Sequence, residues 1–185
     1  MEATTGITQG RFVVPSVVAT HFHLREGDAV GDFGAGSGFF LEILSQSVGY
    51  SGRVYTCEIQ KELVEKIGTI VRTKGLSNVD PLWCDIEAEK GIKIADGTLD
   101  AGILVNTLFQ VEEKNVCIKE IARTLRSGAK LFVIDWSESF NGLGPQPMQV
   151  VTVDQAKAIV ESGGFVFDRS FDAGDHHYGL AFRKL

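Results

Sequence analysis

The chain has 185 residues, 44% apolar and 23% charged, a balance that excludes a disordered chain and fits one globular domain. Eighteen basic against 24 acidic residues leave a net charge of -6, which speaks against a general nucleic-acid binder. Glycine supplies 21 of the 185 residues, about 11% against a usual ~7%, so many backbone positions call for tight turns or close approach. The first ten residues are polar, and the apolar stretch after them is broken by Pro15, His21 and His23, so it reads neither as a secretory signal nor as a membrane span. Cys57, Cys84 and Cys117 are an odd set with no Cys-x-x-Cys spacing, and each sits in an apolar segment as a buried free thiol would. A cytoplasmic protein without a bound metal is the expectation.

In chain order, Asp28–Phe33 is a short apolar run ending at Gly34. Phe40, Ile43, Leu44 and Val48 then recur at helical spacing until Gly49. Arg53–Glu58 is strand-like, and Gln60–Lys74 predicts a helix with Leu63, Ile67, Ile70 and Val71 on one face, closed by Gly75. Val79–Cys84 is a third short strand, and Leu99–Val105 is a continuous apolar run of the kind covered on both faces. A helix from about Glu113 to Arg126, stopped by Gly128, leads into a fifth strand over Lys130–Trp136. Ser137–Val151, rich in glycine and proline, is a loop. Thr152 with Gln155 forms a capping box for a helix ending at Gly163-Gly164, and Phe165–Phe171 and His176–Phe182 make a closing hairpin around Ala173-Gly174-Asp175. Strand–helix alternation through five strands implies an α/β fold: a parallel sheet with helices on both faces.

The segment Asp32-Phe33-Gly34-Ala35-Gly36-Ser37-Gly38 lies where the first strand gives way to the first helix. Glycines there let the backbone turn sharply and approach a ligand, while the helix start offers free N–H groups. A dinucleotide fingerprint would need its third glycine at position 39, which is Phe39, and this disfavours a nicotinamide oxidoreductase. Glu58 ends the second strand 24 residues after Gly34, where a carboxylate can accept hydrogen bonds from both ribose hydroxyls of an adenosine. At a strand's end it is expected to be solvent-accessible in the empty protein.

The Asp-x-Gly-x-Gly-x-Gly pattern resembles motif I of the class I S-adenosylmethionine-dependent methyltransferases. Cys84-Asp85-Ile86 fits the acid that this family places after its third strand to meet the adenine amino group. Leu125-Arg126-Ser127-Gly128-Ala129 resembles the family's Leu-Lys-Pro-Gly-Gly turn before the fifth strand. The order of these motifs covers Leu24 to Phe182. The chain looks most like the small stand-alone enzymes of the ubiquinone/menaquinone-biosynthesis and arsenite methyltransferase type. Arsenite enzymes rely on converging cysteines, which Cys57 in a strand and Cys117 in a helix do not suggest. The resemblance implies a single Rossmann-like domain with a seven-stranded, mostly parallel sheet in the order 3-2-1-4-5-7-6, the last strand antiparallel. It implies S-adenosyl-L-methionine as cofactor, held by Asp32, Phe33, Gly34, Ala35, Gly36, Gly38, Glu58, Ile59, Asp85, Ile86 and Asn106, with Asn106 nearest the reacting methyl.

Polar groups at the carboxyl ends of the strands are candidates for the reaction itself: Asn106 after the fourth, Asp135 closing the fifth and His177 opening the last. For His177 the alternative is a hydrogen bond within the hairpin, and for Asp135 a fixed bond to nearby backbone. His21 and His23, two apart on a helix, read as structural. Residues 1–24, with Phe12, Val13, Val14, Val17 and Val18, form an expected helical lid segment, and 25–185 the methyltransferase domain. A lid this small suits a small-molecule acceptor, or a group presented by a partner, better than unaided nucleic-acid recognition. The rival from another class is a non-catalytic S-adenosylmethionine-binding module that acts through a partner protein.

Overall fold

The computed structural model describes residues 12–185. After a single helical turn, α1 (Pro15–Val18), the chain alternates strand and helix: β1 (Ala29–Phe33), α2 (Leu41–Val48), β2 (Arg53–Glu58), α3 (Lys61–Lys74), β3 (Val79–Trp83), β4 (Leu99–Val105), α4 (Lys114–Thr124), β5 (Leu125–Trp136), α5 (Val153–Ser162), β6 (Phe165–Phe171) and β7 (His177–Lys184). One seven-stranded sheet results, in the order β3-β2-β1-β4-β5-β7-β6. Strands β3 through β5 in that order pair in parallel, and β7 runs antiparallel to both β5 and β6. The expected fold class and strand order are those observed.

Two apolar layers flank the sheet. One face packs Phe33, Leu104 and Val133 against Ile118 and Ile121 of α4 and Val160 of α5. The other packs Val30, Ile103 and Phe132 against Leu41 and Leu44 of α2 and Ile67 of α3. Strand side chains alternate between these faces, which is why Val30 and Phe33 serve different layers. Val18 and Phe22 also belong to the second layer, with the Phe22 ring 4.7 Å from that of Phe132. That part of the amino-terminal segment is therefore built into the core, while residues 1–11 of the expected lid lie outside the described residues. All three cysteines are buried and free.

Several boundaries differ from expectation. Helix α4 ends at Thr124, two residues early, because buried Leu125 is extended and pairs with Leu99, and Arg126 forms an ion pair with Asp100. That long-range pairing straightens the chain before Gly128 is reached. Strand β3 stops at Trp83, and β7 begins at His177 because His176 has φ +64°, a left-handed conformation no strand accommodates. His21 closes a short 3-10 turn and stacks on Phe171 at 4.9 Å, whereas His23 lies past that turn with φ +49°. The Thr152–Gln155 capping box is present: the Thr152 hydroxyl accepts from the Gln155 N–H, and the Gln155 side chain accepts from the Thr152 N–H at 2.9 Å.

Candidate active site

The loop after β1 is tied down by its neighbours. The N–H groups of Gly34 and Ala35 both donate to the Cys57 carbonyl at the end of β2, at 2.9 and 3.1 Å. Gly34, at φ +74°, leaves no room for a side chain, since a Cβ there would lie 2.6 Å from the Thr107 hydroxyl after β4. Its glycine serves close packing of two protein segments. Gly36, at φ +55°, has open space where a Cβ would project, and its N–H donates to Glu58 Oε2 at 2.9 Å. Of these two glycines, Gly36 is the one facing open space.

Glu58 is only 6% exposed. Its Oε1 accepts from the Gln60 N–H at 2.9 Å, so each carboxylate oxygen takes one backbone donor and keeps a lone pair for another. The expectation of a solvent-accessible carboxylate is thus corrected. Parallel pairing of β1 with β2 brings Gly36 over the strand's end and covers the side chain.

A cavity of about 460 Å³ opens along the carboxyl ends of β1, β2, β3 and β4. The predicted residues Asp32, Gly34, Ala35, Gly36, Glu58, Ile59, Asp85, Ile86 and Asn106 all line it. Phe33 does not, for its side chain points into the layer shared with α4 and α5, and Gly38 lies behind the loop in the turn opening α2. Sequence reasoning did not single out Leu63, Thr107, Gln110, Glu87, Cys57 or Cys84 as lining residues. Leu63 was legible as part of the apolar face of α3. Cys57 and Cys84 are 27 positions apart, and only the β2–β3 pairing joins their thiols, whose contact pushes Cys57 up and draws Cys84 down from the ordinary thiol value. Among the described residues, no group of three or more His, Cys, Asp or Glu side chains is placed to hold a metal ion.

The wall is acidic. Asp32, Glu58, Asp85 and Glu87 line the cavity, and no lysine, arginine or histidine among the described residues does. Asp85 and Glu87 are partly engaged: Asp85 Oδ1 accepts from the Glu87 N–H at 2.9 Å, and Glu87 Oε2 accepts from Glu112 and Glu113 at 2.8 and 2.7 Å, capping the start of α4. Asp32 is 3% exposed, and burial, with the nearby charge of Glu58 adding to it, pushes its carboxyl up to about 7.

At the far end, Asn106 follows β4 in a left-handed conformation, φ +51°. Its N–H donates to the Ile134 carbonyl at 2.8 Å, and its buried Oδ1 has no partner among the described residues. Asp135, 1% exposed, does not line the cavity. Its two oxygens accept from the Phe109 N–H at 2.9 Å and the Trp136 N–H at 2.8 Å, so it clamps the turn after Asn106 onto β5. Burial raises its carboxyl to about 6 against the pull of these donors. His177 is also outside the cavity, under Phe12 and beside Trp136, whose ring is 4.2 Å away. Its Nδ1 lies 2.8 Å from the Asp175 carbonyl, which only accepts, so Nδ1 carries the proton. The buried Nε2 is then a lone pair with no donor among the described residues, and burial lowers the ring's affinity for a second proton.

Comparison with known proteins places this geometry. Residues 31–133 match the family described as "Methyltransferase domain". The ubiquinone/menaquinone biosynthesis C-methyltransferase UbiE of Chromobacterium violaceum is 27% identical over 122 residues, 66% of this chain and 48% of that protein. The Haemophilus ducreyi enzyme of the same name is 28% identical over 116 residues, 62% of this chain and 44% of its own length. The chain thus spans about half the length of these curated relatives. A crystal structure of a SAM dependent methyltransferase from Aquifex aeolicus superimposes with TM-score 0.86 at 30% identity, covering 94% of this chain and 91% of that one. A geranyl diphosphate C-methyltransferase from Streptomyces coelicolor, crystallised with S-adenosyl-L-homocysteine, shares the fold at TM-score 0.75 and 11% identity, covering 92% and 78%.

Proposed function

Because the chain belongs to the methyltransferase-domain family of class I S-adenosylmethionine-dependent enzymes, we propose that it transfers the methyl group of S-adenosylmethionine to a small-molecule acceptor. The cofactor is the family's, and this chain's residues fit it. The observation that carries the reading is the meeting of the Gly36 N–H with the Glu58 carboxylate at the wall of a cavity of about 460 Å³. That volume lies within the roughly 300–1,000 Å³ typical of small-ligand sites.

In this reading the free lone pairs of Glu58 would hold the two ribose hydroxyls, Ile59 and Ile86 would hold the adenine, and Asp85 would take its amino group. The loop residues Gly34, Ala35 and Gly36 would shape the floor for the amino-acid end, beside Asp32. When bound, S-adenosylmethionine supplies a methyl group already activated on sulfur. What remains for the protein is alignment and exclusion of water, which supply most of the acceleration of such a displacement. Asn106, with its unpartnered Oδ1 at the cavity's end, is the residue assigned to orient the acceptor. Asp135 acts as a positioning residue through the Phe109 N–H. His177, outside the cavity with Nε2 buried and its affinity for a second proton lowered, is assigned a packing role beside Trp136 in this reading and not that of a base. Of the expected lid, Phe12 rests against Trp136, Phe140, His176 and His177, and in this proposal it closes the edge of the sheet beside the site, while Val18 and Phe22 belong to the core.

No helix among the described residues is long and apolar enough to cross a membrane. A cytoplasmic location belongs to the same proposal and accords with three free cysteines. The test is equilibrium binding of S-adenosylmethionine and S-adenosylhomocysteine, followed by a panel of hydroxyl-, amine-, thiol- and activated-carbon compounds with labelled methyl donor. Tight binding with transfer to one chemical class supports the reading, and failure to bind either cofactor form refutes it.

A further inference from the structure

The charge around the cavity is one-sided. Glu58 and Cys57 line it from β2, and Cys84, Asp85 and Glu87 from the segment after β3. Strand β4 contributes Val105 and Asn106, neither of them ionisable, and no cationic side chain among the described residues lines the wall. Asp32 sits deepest among these acids, 3% exposed, and accepts no hydrogen bond from the described residues. Its neighbour across the sheet, Thr56, has a buried hydroxyl that is likewise without a partner. Asp85 and Glu87 have backbone donors to stabilise their charge, and Glu58 has two. Asp32 has none, and a second carboxylate stands close by.

A carboxyl of that kind ionises readily only when a counter-charge arrives. The methyl donor carries a sulfonium, an ammonium and a carboxylate, a net single positive charge. The demethylated product keeps only the last two and is neutral overall. We propose that Asp32 is a charge sensor in the donor cavity: entry of the cationic donor expels the proton that this carboxyl otherwise holds, so the donor is preferred over its product and the preference fades as pH falls. The inference rests on reading the cavity as the donor site and adds a linkage which that reading does not require. Its cause is physical. A buried carboxyl pushed up to about 7 is ionised by half near neutral pH, and a cation within several ångströms in a poorly solvated cavity shifts that balance toward the anion. Of the two ligands, the one with the additional positive charge shifts it further.

Linkage sets the size of the effect. A ligand whose binding releases one more proton than another gains about tenfold in relative affinity per pH unit. A difference of a quarter to a half proton gives a change of about threefold to tenfold in the donor-to-product preference between pH 6 and pH 8. Titration calorimetry of the full chain with S-adenosylmethionine and with S-adenosylhomocysteine, in buffers of contrasting ionisation enthalpy, counts the protons directly. The donor should release more than the product, and the preference for donor should grow over that pH range. Asp32→Asn should remove both the additional proton and the pH dependence. Should that variant fail to fold, sinefungin provides the second measurement in the native chain. It carries an amine cation beside the position of the sulfur and should release protons as the donor does. Equal proton release by donor and product, or an Asp32→Asn variant that keeps the difference, overturns the sensor while leaving the donor site intact. If neither cofactor form binds at any pH, the donor-site reading itself falls and the sensor with it.

Discussion

Replacing Glu58 by alanine should weaken both the empty protein and its hold on the cofactor, and the two losses can be measured apart. In the empty protein the carboxylate accepts from the N–H groups of Gly36 and Gln60, each at 2.9 Å. Hydrogen bonds to a charged group contribute about 1.5–3 kcal/mol each. Water at the cavity wall and at exposed Gln60 can replace part of both, and Asp32 is relieved of a neighbouring charge. The net cost to unfolding free energy is therefore about 1–3 kcal/mol, which for 185 residues lowers the melting temperature by about 3–10 °C. Loss of the ribose contacts should reduce affinity for S-adenosylhomocysteine by about 10- to 100-fold, since 1.4 kcal/mol is a factor of ten. Thermal unfolding with and without saturating S-adenosylhomocysteine reads both effects, because the ligand-induced shift shrinks as affinity falls. Cofactor analogues lacking the ribose 2′-hydroxyl sharpen the result: the native chain should discriminate against them and the variant should not. An unchanged melting temperature without ligand would refute the bracing of the loop. Equal discrimination by both proteins would refute the ribose contact.

Gly36→Asp should retain the fold, because aspartate tolerates the left-handed conformation at φ +55° and its Cβ meets open space, yet lose S-adenosylhomocysteine binding. Near-native affinity in a titration would remove the loop from the cofactor's path. Gly144→Ala places a Cβ 2.4 Å from the Trp136 ring at φ +68°, so the loop after β5 must shift. A loss of about 1–3 kcal/mol is expected, together with a changed Trp136 emission that an unmoved loop would not show. Stability without ligand should decline as pH rises from 5 to 8, since Asp32 at about 7 and Asp135 at about 6 hold protons in the folded chain that the unfolded chain has already released near its ordinary value of 3.8. Over that range the Asp32 share, about 3 kcal/mol for the two units between pH 5 and about 7, should vanish in Asp32→Asn, and denaturant midpoints that rise with pH would contradict the sign.

The parts of the fold set by local patterns were legible. β2, β4 and β6 fall on the residues expected, Arg53–Glu58, Leu99–Val105 and Phe165–Phe171, because each is rich in β-branched, aromatic or aliphatic residues and is preceded within two residues by a glycine, Gly52, Gly97 or Gly164. The Thr152 box opens α5 for the same local reason. The α4–β5 boundary was not legible. Gly128 signals a stop, but Leu125 obeys a pairing with Leu99, 26 positions away, that no window of sequence contains. The site divides in the same way. The spacing of Asp32, Gly34, Gly36 and Gly38 and the offset to Glu58 are read directly off the chain, so most of the cavity's wall could be named in advance, Phe33 and Gly38 being the exceptions. The contact of Cys57 with Cys84 and the burial of Glu58 are products of parallel register and were invisible.

That register has a consequence which ties the two acids together. Pairing β1 with β2 places Asp32 opposite Thr56 and brings Gly36 over Glu58, so one arrangement of strands both braces the loop and sets two carboxylates side by side. Glu58 is stabilised by one donor from the loop, the Gly36 N–H, and one from Gln60 after β2, whereas Asp32, one strand inward, is buried beside the neighbour's charge with no donor from the described residues. Burial is the larger cause of the raised Asp32 carboxyl, and the Glu58 charge that braces the loop adds to it. Neutralising Glu58 while keeping its shape, as in Glu58→Gln, must lower the proton affinity of Asp32 and flatten the pH dependence of stability. If Glu58→Gln leaves that dependence untouched, the carboxylates do not sense each other, and burial alone governs Asp32.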